Sequence, residues 1–259
     1  MKLLTINTHS LIEDNYEYKL DVFTEAIARL RPDVIAMQEV NQTASAPVVG
    51  LGDGFYIRSD NHAYAVCRRL YDKGINYSCI WRGIKRSYDI FEEGVAILSR
   101  KPISETDTFV MSNTQDIKNW HSRRALGVKI ADKWFYSVHM GRFDDAEDSF
   151  SGQWQRFLIC TENKQNVWVM GDFNCNAHGE GYDTVINSGW HDSYYAADEH
   201  DDGITVKGNI DGWRDCKNGD MRIDYIFSNS KQNVKSSHVI FNGKNENIVS
   251  DHFGIMVEV

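Results

Sequence analysis

Short runs of bulky apolar residues recur along all 259 residues, and this repetition constrains the fold more than any other feature. Ten runs have the length and the β-branched or aromatic content of strands. They are KLLTINT, DVIAMQ, YSCIWRG, GVAILS, ALGVKI, WFYSVHM, VWVMG, RIDYIFS, KSSHVIF and FGIMVEV. Four segments have helical periodicity instead, namely YEYKLDVFTEAIARL, HAYAVCRRLYDKG, SGQWQRFLICTEN and GYDTVINSG. This order of strands and helices predicts a mixed α/β fold with antiparallel strand pairs.

The chain contains no internal repeat, low-complexity segment or linker rich in proline and glycine. We therefore expect residues 1–259 to form a single domain. No apolar run approaches the roughly 20 residues that span a bilayer, so no membrane association is expected. Five cysteines without metal-type spacing indicate free thiols in a reducing compartment, and the N-terminus lacks a cleavage site for a signal peptide. These features predict a cytoplasmic protein.

Several predicted strands end at a side chain that can bind a metal ion or transfer a proton. Further residues of this kind lie at the start of RIDYIF and directly before the last strand. A buried carboxylate costs several kcal/mol unless it is paired or bound to a metal, so the repeated placement predicts that these side chains converge. The residues are Asn7, Glu39, His139, Asp172, Asp224, Asp251 and His252.

The stretch NVWVMGDFNCNAH, residues 166–178, allows two interpretations. The run Val167 to Met170 predicts a buried strand that Gly171 ends, and polar groups just past such a strand are well placed for catalysis. Asp172 and Asn174 could equally form an Asx turn that caps only their own backbone. The neighbouring Cys175 is expected to be a packed small residue, since no activating base accompanies it.

The predicted site residues favour metal-assisted chemistry on a phosphate ester. Oxygen donors without cysteine or multiple-histidine spacing suit Mg²⁺ or Mn²⁺ rather than zinc. His139 and His252 can transfer protons near neutral pH, and Glu93 and Asp224 are carboxylates that could orient them. A metal ion with two histidines and an aspartate is suited to phosphate-ester hydrolysis. We expect five other histidines to be ordinary structural side chains, namely His62, His121, His191, His200 and His238.

Seven motifs occur in an order and near a spacing that identify a family resemblance: TINTH, AMQEV, EEGVAILSR, YSVHM, GDFN, RIDYIF and SDHFG. Together they resemble the endonuclease/exonuclease/phosphatase superfamily, the deoxyribonuclease-I-like hydrolases. The resemblance extends from Asn7 to His252. It implies a four-layered α/β sandwich, in which two mixed β-sheets pack face to face and are flanked by helices.

The resemblance also implies a metal site and a site for the attacking water. Glu39 is similar to the principal Mg²⁺ ligand of the family, with Asn7 and Asp251 beside it. Asp172 is similar to the residue that positions or deprotonates the attacking water, and Asn174 to the residue that hydrogen-bonds the phosphate.

The two histidines have counterparts in the same resemblance. His252, oriented by Asp224, is similar to a general base or phosphate clamp, and His139, oriented by Glu93, is similar to its partner across the phosphate. The resemblance leaves open which histidine transfers which proton. The implied reaction is one in-line displacement by water, without a covalent intermediate.

The net charge of −9 disfavours a protein that binds nucleic acid through many phosphates. We expect a small phosphate ester as substrate, in particular a sugar phosphate. Trp120 and Trp213 could cover the apolar face of a sugar while Lys118 and Arg123 meet its phosphate. NTHS, EEGVAILSR, the HMGRFDD loop and IDGW are similar to the bacterial maltose 6'-phosphate phosphatases.

Two alternatives remain open, an endo- or exodeoxyribonuclease and a catalytically inactive binding protein of the same fold. Charge runs on either side of these motifs are interpreted as solvated loops. They include the basic clusters Arg82, Lys85, Arg86 and Lys118, Arg123, Arg124, and the acidic runs at 143–148 and 198–203.

Overall fold

The computed structural model describes residues 1–51, 55–208, 210 and 219–259. The strands are β1 (Lys2–Asn7), β2 (Val34–Thr43), β3 (Val48–Gly50), β4 (Ile57–Arg58), β5 (Ser78–Ser87), β6 (Phe91–Ser99), β7 (Glu105–Val110), β8 (Arg124–Ile130), β9 (Lys133–His139), β10 (Val167–Asp172), β11 (His191–Asp192), β12 (Ala197–His200), β13 (Asp224–Ser228), β14 (Val234–Ile240) and β15 (Gly254–Glu258). The helices are α1 (Tyr16–Leu30), α2 (His62–Asp72), α3 (Phe150–Thr161), α4 (Glu180–Asn187) and α5 (Ser193–Ala196), and a short 3-10 helix spans Ser10–Ile12.

All ten predicted strands and all four predicted helices are present. The sequence did not indicate β3, β4, β7, β11, β12 or α5. Most of these elements have only two to four residues, which is too short for a periodic pattern. The longer β7, ETDTFV, is a sheet-edge strand with mostly polar residues, so its sequence resembles that of a loop.

Two large mixed sheets form the framework of the molecule. The first has seven strands in the order β12-β14-β15-β1-β2-β6-β5, and the second has six in the order β11-β13-β10-β9-β8-β7. Within them, β1 and β2 run parallel, as do β9 and β10. Because parallel strands point their carboxyl ends the same way, the polar residues at the ends of β9 and β10 lie at one edge.

Three apolar clusters define four layers. Leu20, Phe23 and Ile27 on one face of α1 pack with α2 residues against the outer face of the first sheet. The outer face of the second sheet is covered by α3 and α4. Between the sheets, β1 and β2 contact β9 and β10, with Phe135 and Met170 in the interface. The four-layered sandwich implied by the family resemblance is confirmed. Each large apolar side chain buried here contributes about 1.5–3 kcal/mol.

A β-bulge places Glu39 within β2, not at the end of a strand as we expected. Between Met37 and Val40, β2 advances three residues while β6 advances two. Glu39 has φ 49°, in the left-handed region that non-glycine residues seldom adopt. A bulge redirects the side chain of a strand residue, which explains how β2 continues to Thr43 while Glu39 faces the site.

Gly171 does not end its strand, because β10 continues to Asp172. Its φ of 154° favours glycine, and a Cβ atom there would lie 1.9 Å from the carbonyl oxygen of Val138 on the parallel neighbour β9. The glycine therefore permits the close approach of β9 and β10 that brings His139 directly beside Asp172 in the strand register.

Cys67, Cys79, Cys160 and Cys175 are free thiols, and Cys216 lies outside the described residues. Cys175 is buried, and burial raises the pKa of its thiol, so it is a packed residue rather than a nucleophile.

Among the helices of the described residues, none has the length and apolar character required to cross a membrane.

Candidate active site

A cleft of about 350 Å³ opens where the two sheets meet, and side chains from both sheets line it. The first sheet provides residues of β2, β5 and β6, and the second provides residues at the ends of β9 and β10. The lining residues are Glu39, Lys85, Arg86, Ser87, Tyr88, Glu93, Trp120, Arg123, His139, Arg142, Asp172, Asn174 and His252.

Asp172 lies at the centre of the site and uses its two oxygens differently. Oδ1 accepts a hydrogen bond from the backbone N–H of Asn174 at 2.8 Å, as in an Asx turn. Oδ2 accepts one from Asn7 Nδ2 at 3.1 Å, and lies 3.5 Å from His139 Nε2 and 3.9 Å from His252 Nε2. The Asx turn and the arrangement of a catalytic carboxylate are therefore both present.

Burial raises the pKa of Asp172 to about 7, although the nearby His252 opposes the shift. A carboxylate with a pKa near the working pH can accept a proton from water. Asn174 has φ 48°, and its Nδ2 donates to the carbonyl of Met140 at 3.0 Å. The loop that follows β10 is thereby tied to the end of β9.

His252 and Asp224 form a buried pair. Asp224 Oδ2 lies 3.0 Å from His252 Nδ1, which is the contact that an orienting carboxylate requires. The strand register places Asp224 of β13 opposite Asp172 of β10, so Nε2 of the same ring faces Asp172. Burial disfavours the imidazolium, but Asp224 and then Asp172 and Asp251 outweigh it and raise the pKa of His252 to about 10.

His139 lies on the other side of Asp172 in a positive environment. Burial, with Arg123, Lys85 and His252 nearby, lowers its pKa well below 6.5. The expectation that Glu93 orients His139 is wrong. Glu93 lies directly opposite Lys85 in the β5–β6 register and pairs with it, with Oε1 3.3 Å from Nζ. Within the described part of the chain, Asp172 is the only carboxylate paired with His139.

Glu39 and Asp172 converge on the amide of Asn7. Nδ2 of Asn7 donates to Glu39 Oε1 at 2.9 Å and to Asp172 Oδ2 at 3.1 Å, while its oxygen accepts from the backbone N–H of His9. Burial and the nearby Glu93 raise the pKa of Glu39. Carboxylate oxygens crowded in this way are the donor set that a divalent cation such as Mg²⁺ prefers, so the residues fit such an ion.

Asp251 lies near this group, where its charge also raises the pKa of Glu39. It forms a cluster with two residues that the sequence did not indicate, His9 and Glu13. His9 Nδ1 is 2.7 Å from Glu13 Oε1 and 3.9 Å from Asp251 Oδ1, and Lys19 also pairs with Glu13. Burial opposes the charged imidazole, but Glu13, Asp251 and Glu39 raise the pKa of His9 to about 9. The sequence could have pointed to His9, because it is the last residue of the motif TINTH.

The basic clusters are not uniformly solvated loops, contrary to expectation. Lys85 and Arg123 line the cleft and are only 8% and 6% exposed. Both are held by the carbonyl oxygen of Trp120, which accepts hydrogen bonds from Lys85 Nζ at 3.2 Å and Arg123 Nη1 at 2.6 Å. Lys118, expected to bind substrate, is instead exposed and lies outside the cleft lining.

Trp120 lies at the mouth of the cleft with 58% of its surface exposed, and its ring centroid is 3.7 Å from that of His121. His121 in turn pairs with Asp145 at 3.0 Å, so the acidic run 143–148 is not simply a solvated loop. Asp148 of the same run is buried and accepts a hydrogen bond from Gln153. Trp213, the other predicted aromatic contact, lies outside the described residues.

The profile of the Endonuclease/Exonuclease/phosphatase family matches residues 4–252. The chain belongs to the endonuclease/exonuclease/phosphatase family. Members of this family are hydrolases that act on phosphate esters, so the resemblance found in the sequence is confirmed at family level. No curated protein matches the chain in sequence.

Solved structures of other family members share the fold. An endonuclease/exonuclease/phosphatase family protein from Leptotrichia buccalis is 37% identical, with a TM-score of 0.91 and coverage of 100% of this chain and 98% of that one. A mannosyl-6-phosphatase from Bacteroides thetaiotaomicron is 18% identical, with a TM-score of 0.69 and coverage of 100% and 98%. A 3' phosphatase from Neisseria bound to a product DNA hairpin is 18% identical, with a TM-score of 0.64 and coverage of 100% and 98%.

Proposed function

We propose that the protein is a divalent-metal-dependent phosphomonoesterase that releases phosphate from a small phosphorylated metabolite, in particular a sugar phosphate. The observation that carries the proposal is the arrangement around Asp172 Oδ2, which has a histidine nitrogen on each side within 4 Å. Two buried cations, Lys85 and Arg123, line the same cleft. This combination suits the attack of water on a phosphoryl group.

Each residue near Asp172 has a role in this proposal. Asp172 holds the attacking water and takes its proton, and Asn174 orients the phosphate. His252, charged and fixed by Asp224, binds a phosphoryl oxygen or protonates the leaving group. His139 is neutral and contacts the phosphate from the opposite side. Water displaces the leaving group in line, and no covalent intermediate forms.

Glu39, Asn7 and Asp251 are the residues that would hold Mg²⁺ or Mn²⁺. Such an ion, when bound, neutralises negative charge on the phosphoryl oxygens. Support for this assignment comes from the oxygen donors that crowd around Asn7 and from the family to which the chain belongs.

The preference for a small substrate rests on charge and on the cleft mouth. A net charge of −9 repels polyanions at long range. The exposed indole of Trp120 offers an aromatic face to a sugar ring at a cleft that Arg123 also lines. The similarity of NTHS, EEGVAILSR, the HMGRFDD loop and IDGW to the bacterial maltose 6'-phosphate phosphatases supports the same substrate class.

The proposal also includes one catalytic domain over residues 1–259, since both sheets contribute to the cleft. A cytoplasmic location is proposed from the odd number of cysteines and their spacing.

The test is a panel of substrates assayed with and without a chelator. We expect phosphate release from hexose and disaccharide phosphates that excess chelator abolishes and that Mg²⁺ or Mn²⁺ restores, with slow nicking of plasmid DNA. Full activity in excess chelator contradicts the metal assignment. Efficient DNA cleavage without phosphate release from any sugar phosphate identifies the nuclease alternative.

His252→Ala separates an enzyme from an inactive binding protein of the same fold. Loss of a general acid or base typically lowers the rate by about 10² to 10⁴. We expect a decrease of that order in kcat for a variant that remains folded at the assay temperature, with His191→Ala on the half-buried β11 as control. Absence of turnover by the wild-type protein favours the binding protein, and a loss below tenfold shows that His252 is not the proton-transfer group.

A further inference from the structure

Lys85 and Arg123 come from different sheets but meet at one point in the cleft. Lys85 is near the end of β5, where a bulge at Ile84 sets it directly opposite Glu93. Arg123 directly precedes β8 of the second sheet. The carbonyl oxygen of Trp120 accepts a hydrogen bond from each, which fixes the two cationic groups beside each other.

Lys85 and Arg123 form a single ion pair with the described residues. Among the described residues, Glu93 is the one carboxylate within ion-pair distance of Lys85, at 3.3 Å. Arg123 has no ion pair with any described residue, and its side-chain hydrogen bonds to the described residues use Nη1, which donates to the carbonyls of Trp120 and Ser122. Nε of Arg123 is buried without a partner among the described residues. A buried guanidinium that forms no ion pair and has an unused N–H donor is suited to bind an anion in this part of the cleft.

Phosphate monoesters and diesters differ in the charge and shape of the phosphoryl group that would face Lys85 and Arg123. Near neutral pH a monoester carries between one and two negative charges and has three terminal oxygens, whereas a diester carries one charge and has two. In a diester the third oxygen carries a carbon substituent. Lys85 and Arg123 line the cleft and are almost completely buried, and a carbon substituent on the third oxygen would take the place of a hydrogen bond to one of them.

We propose that Lys85 and Arg123 together select phosphate monoesters, by binding the terminal oxygen that a diester lacks. The inference rests on the proposed function of the same site and names the residues that separate a phosphatase from a nuclease. Lys85 contributes charge and Arg123 contributes fixed N–H donors, a combination that suits a dianionic phosphoryl group. Neither residue transfers a proton in this proposal.

The experiment compares kcat/KM for p-nitrophenyl phosphate and bis(p-nitrophenyl) phosphate with saturating Mg²⁺ or Mn²⁺. We expect Lys85→Met to lower the monoester value by about 10- to 100-fold, the range expected for loss of a charge-assisted hydrogen bond, and the diester value by less than about threefold. Lys85→Arg should recover part of the monoester activity. Lys129→Met is the matched control, because Lys129 also pairs with a glutamate across two antiparallel strands, Glu105 at 2.6 Å, but lies outside the cleft.

Lys85→Met leaves Glu93 buried without its partner, so Lys85→Met/Glu93→Gln is assayed beside it. The same selective loss in the double variant, at a wild-type melting temperature, supports the inference. An equal loss on both esters, or no loss on either, overturns this inference alone. A wild-type enzyme that prefers the diester, or hydrolyses neither ester, overturns the proposed function as well.

Discussion

The two carboxylate oxygens of Asp172 make different contacts, which explains why the sequence allowed two interpretations of this residue. One carboxylate oxygen closes an Asx turn with Asn174, and the other faces Asn7 and both histidines. The hydrogen bond from Asn174 to Oδ1 fixes the plane of the carboxylate, so the turn also determines how Oδ2 faces the two histidines. The sequence predicts which polar residues follow strands. It does not predict that Lys85 and Arg123 are buried together, because the segment of Trp120 and Arg123 meets Lys85, 35 residues before Trp120, only in the tertiary fold.

The variant Glu39→Gln tests whether this single side chain is a ligand of the metal ion. The substitution keeps the shape of the side chain but removes one charge from a buried group that Glu93 already disfavours. We expect at least tenfold weaker Mg²⁺ binding by calorimetry, and a melting temperature without metal that is equal to or higher than that of the wild type.

The control for this variant is Glu105→Gln, which removes a carboxylate on the far edge of the second sheet. It should leave Mg²⁺ affinity unchanged. Unchanged affinity in Glu39→Gln would show that Glu39 is not a ligand.

At the scale of elements, periodicity predicts strands and helices but not the irregularities that make them functional. The bounds of α1 agree with the predicted segment, since its apolar face and the following Pro32 are local signals. The bulges in β2 and β5 depend on the register with β6, which no local pattern encodes. These two bulges place Glu39 and Lys85 in the cleft.

Gly171→Ala tests the contact between β9 and β10. The new Cβ would overlap the carbonyl oxygen of Val138, and φ 154° is unfavourable for alanine. We expect a loss of unfolding free energy on the order of 3 kcal/mol or more, measured by urea denaturation.

Gly189→Ala is the control, because Gly189 has φ 90° but no atom within 4 Å of the added Cβ. It should lose only about 1 kcal/mol. Equal losses in the two variants would show that backbone conformation alone, rather than the contact with Val138, requires glycine at position 171.

At the scale of the whole molecule, the layer arrangement came from the family resemblance and not from the residue pattern. Strand content indicated a mixed α/β fold, but the order of strands depends on contacts between distant parts of the chain. The first sheet illustrates this point, because β1 pairs with β2 on one side and with β15 on the other.

The stability of the whole molecule should depend on His62, which anchors α2 against α1. His62 Nδ1 is 3.0 Å from the hydroxyl of Tyr16, and burial, with a smaller effect from Arg69, lowers the pKa of His62 to about 3. The unfolded chain binds a proton near pH 6.5 that the folded chain excludes, so stability decreases as the pH falls from about 6.5 towards 3. At pH 5 this amounts to about 2 kcal/mol.

Urea denaturation at pH 7.5 and pH 5 measures this dependence. We expect His62→Gln to lose about 2 kcal/mol less than the wild type between the two values. An identical loss in wild type and His62→Gln would mean that His62 takes up its proton without unfolding.

The position of β15 between β14 and β1 has a consequence for biosynthesis. Translation reaches residues 254–258 after every proposed catalytic residue has already been made. Until those residues leave the ribosome, β1 and β14 each have an unpaired edge, and exposed edges promote association between chains. A nascent chain arrested after His252 would contain the complete set of catalytic side chains, but we expect it to aggregate rather than to hydrolyse a substrate.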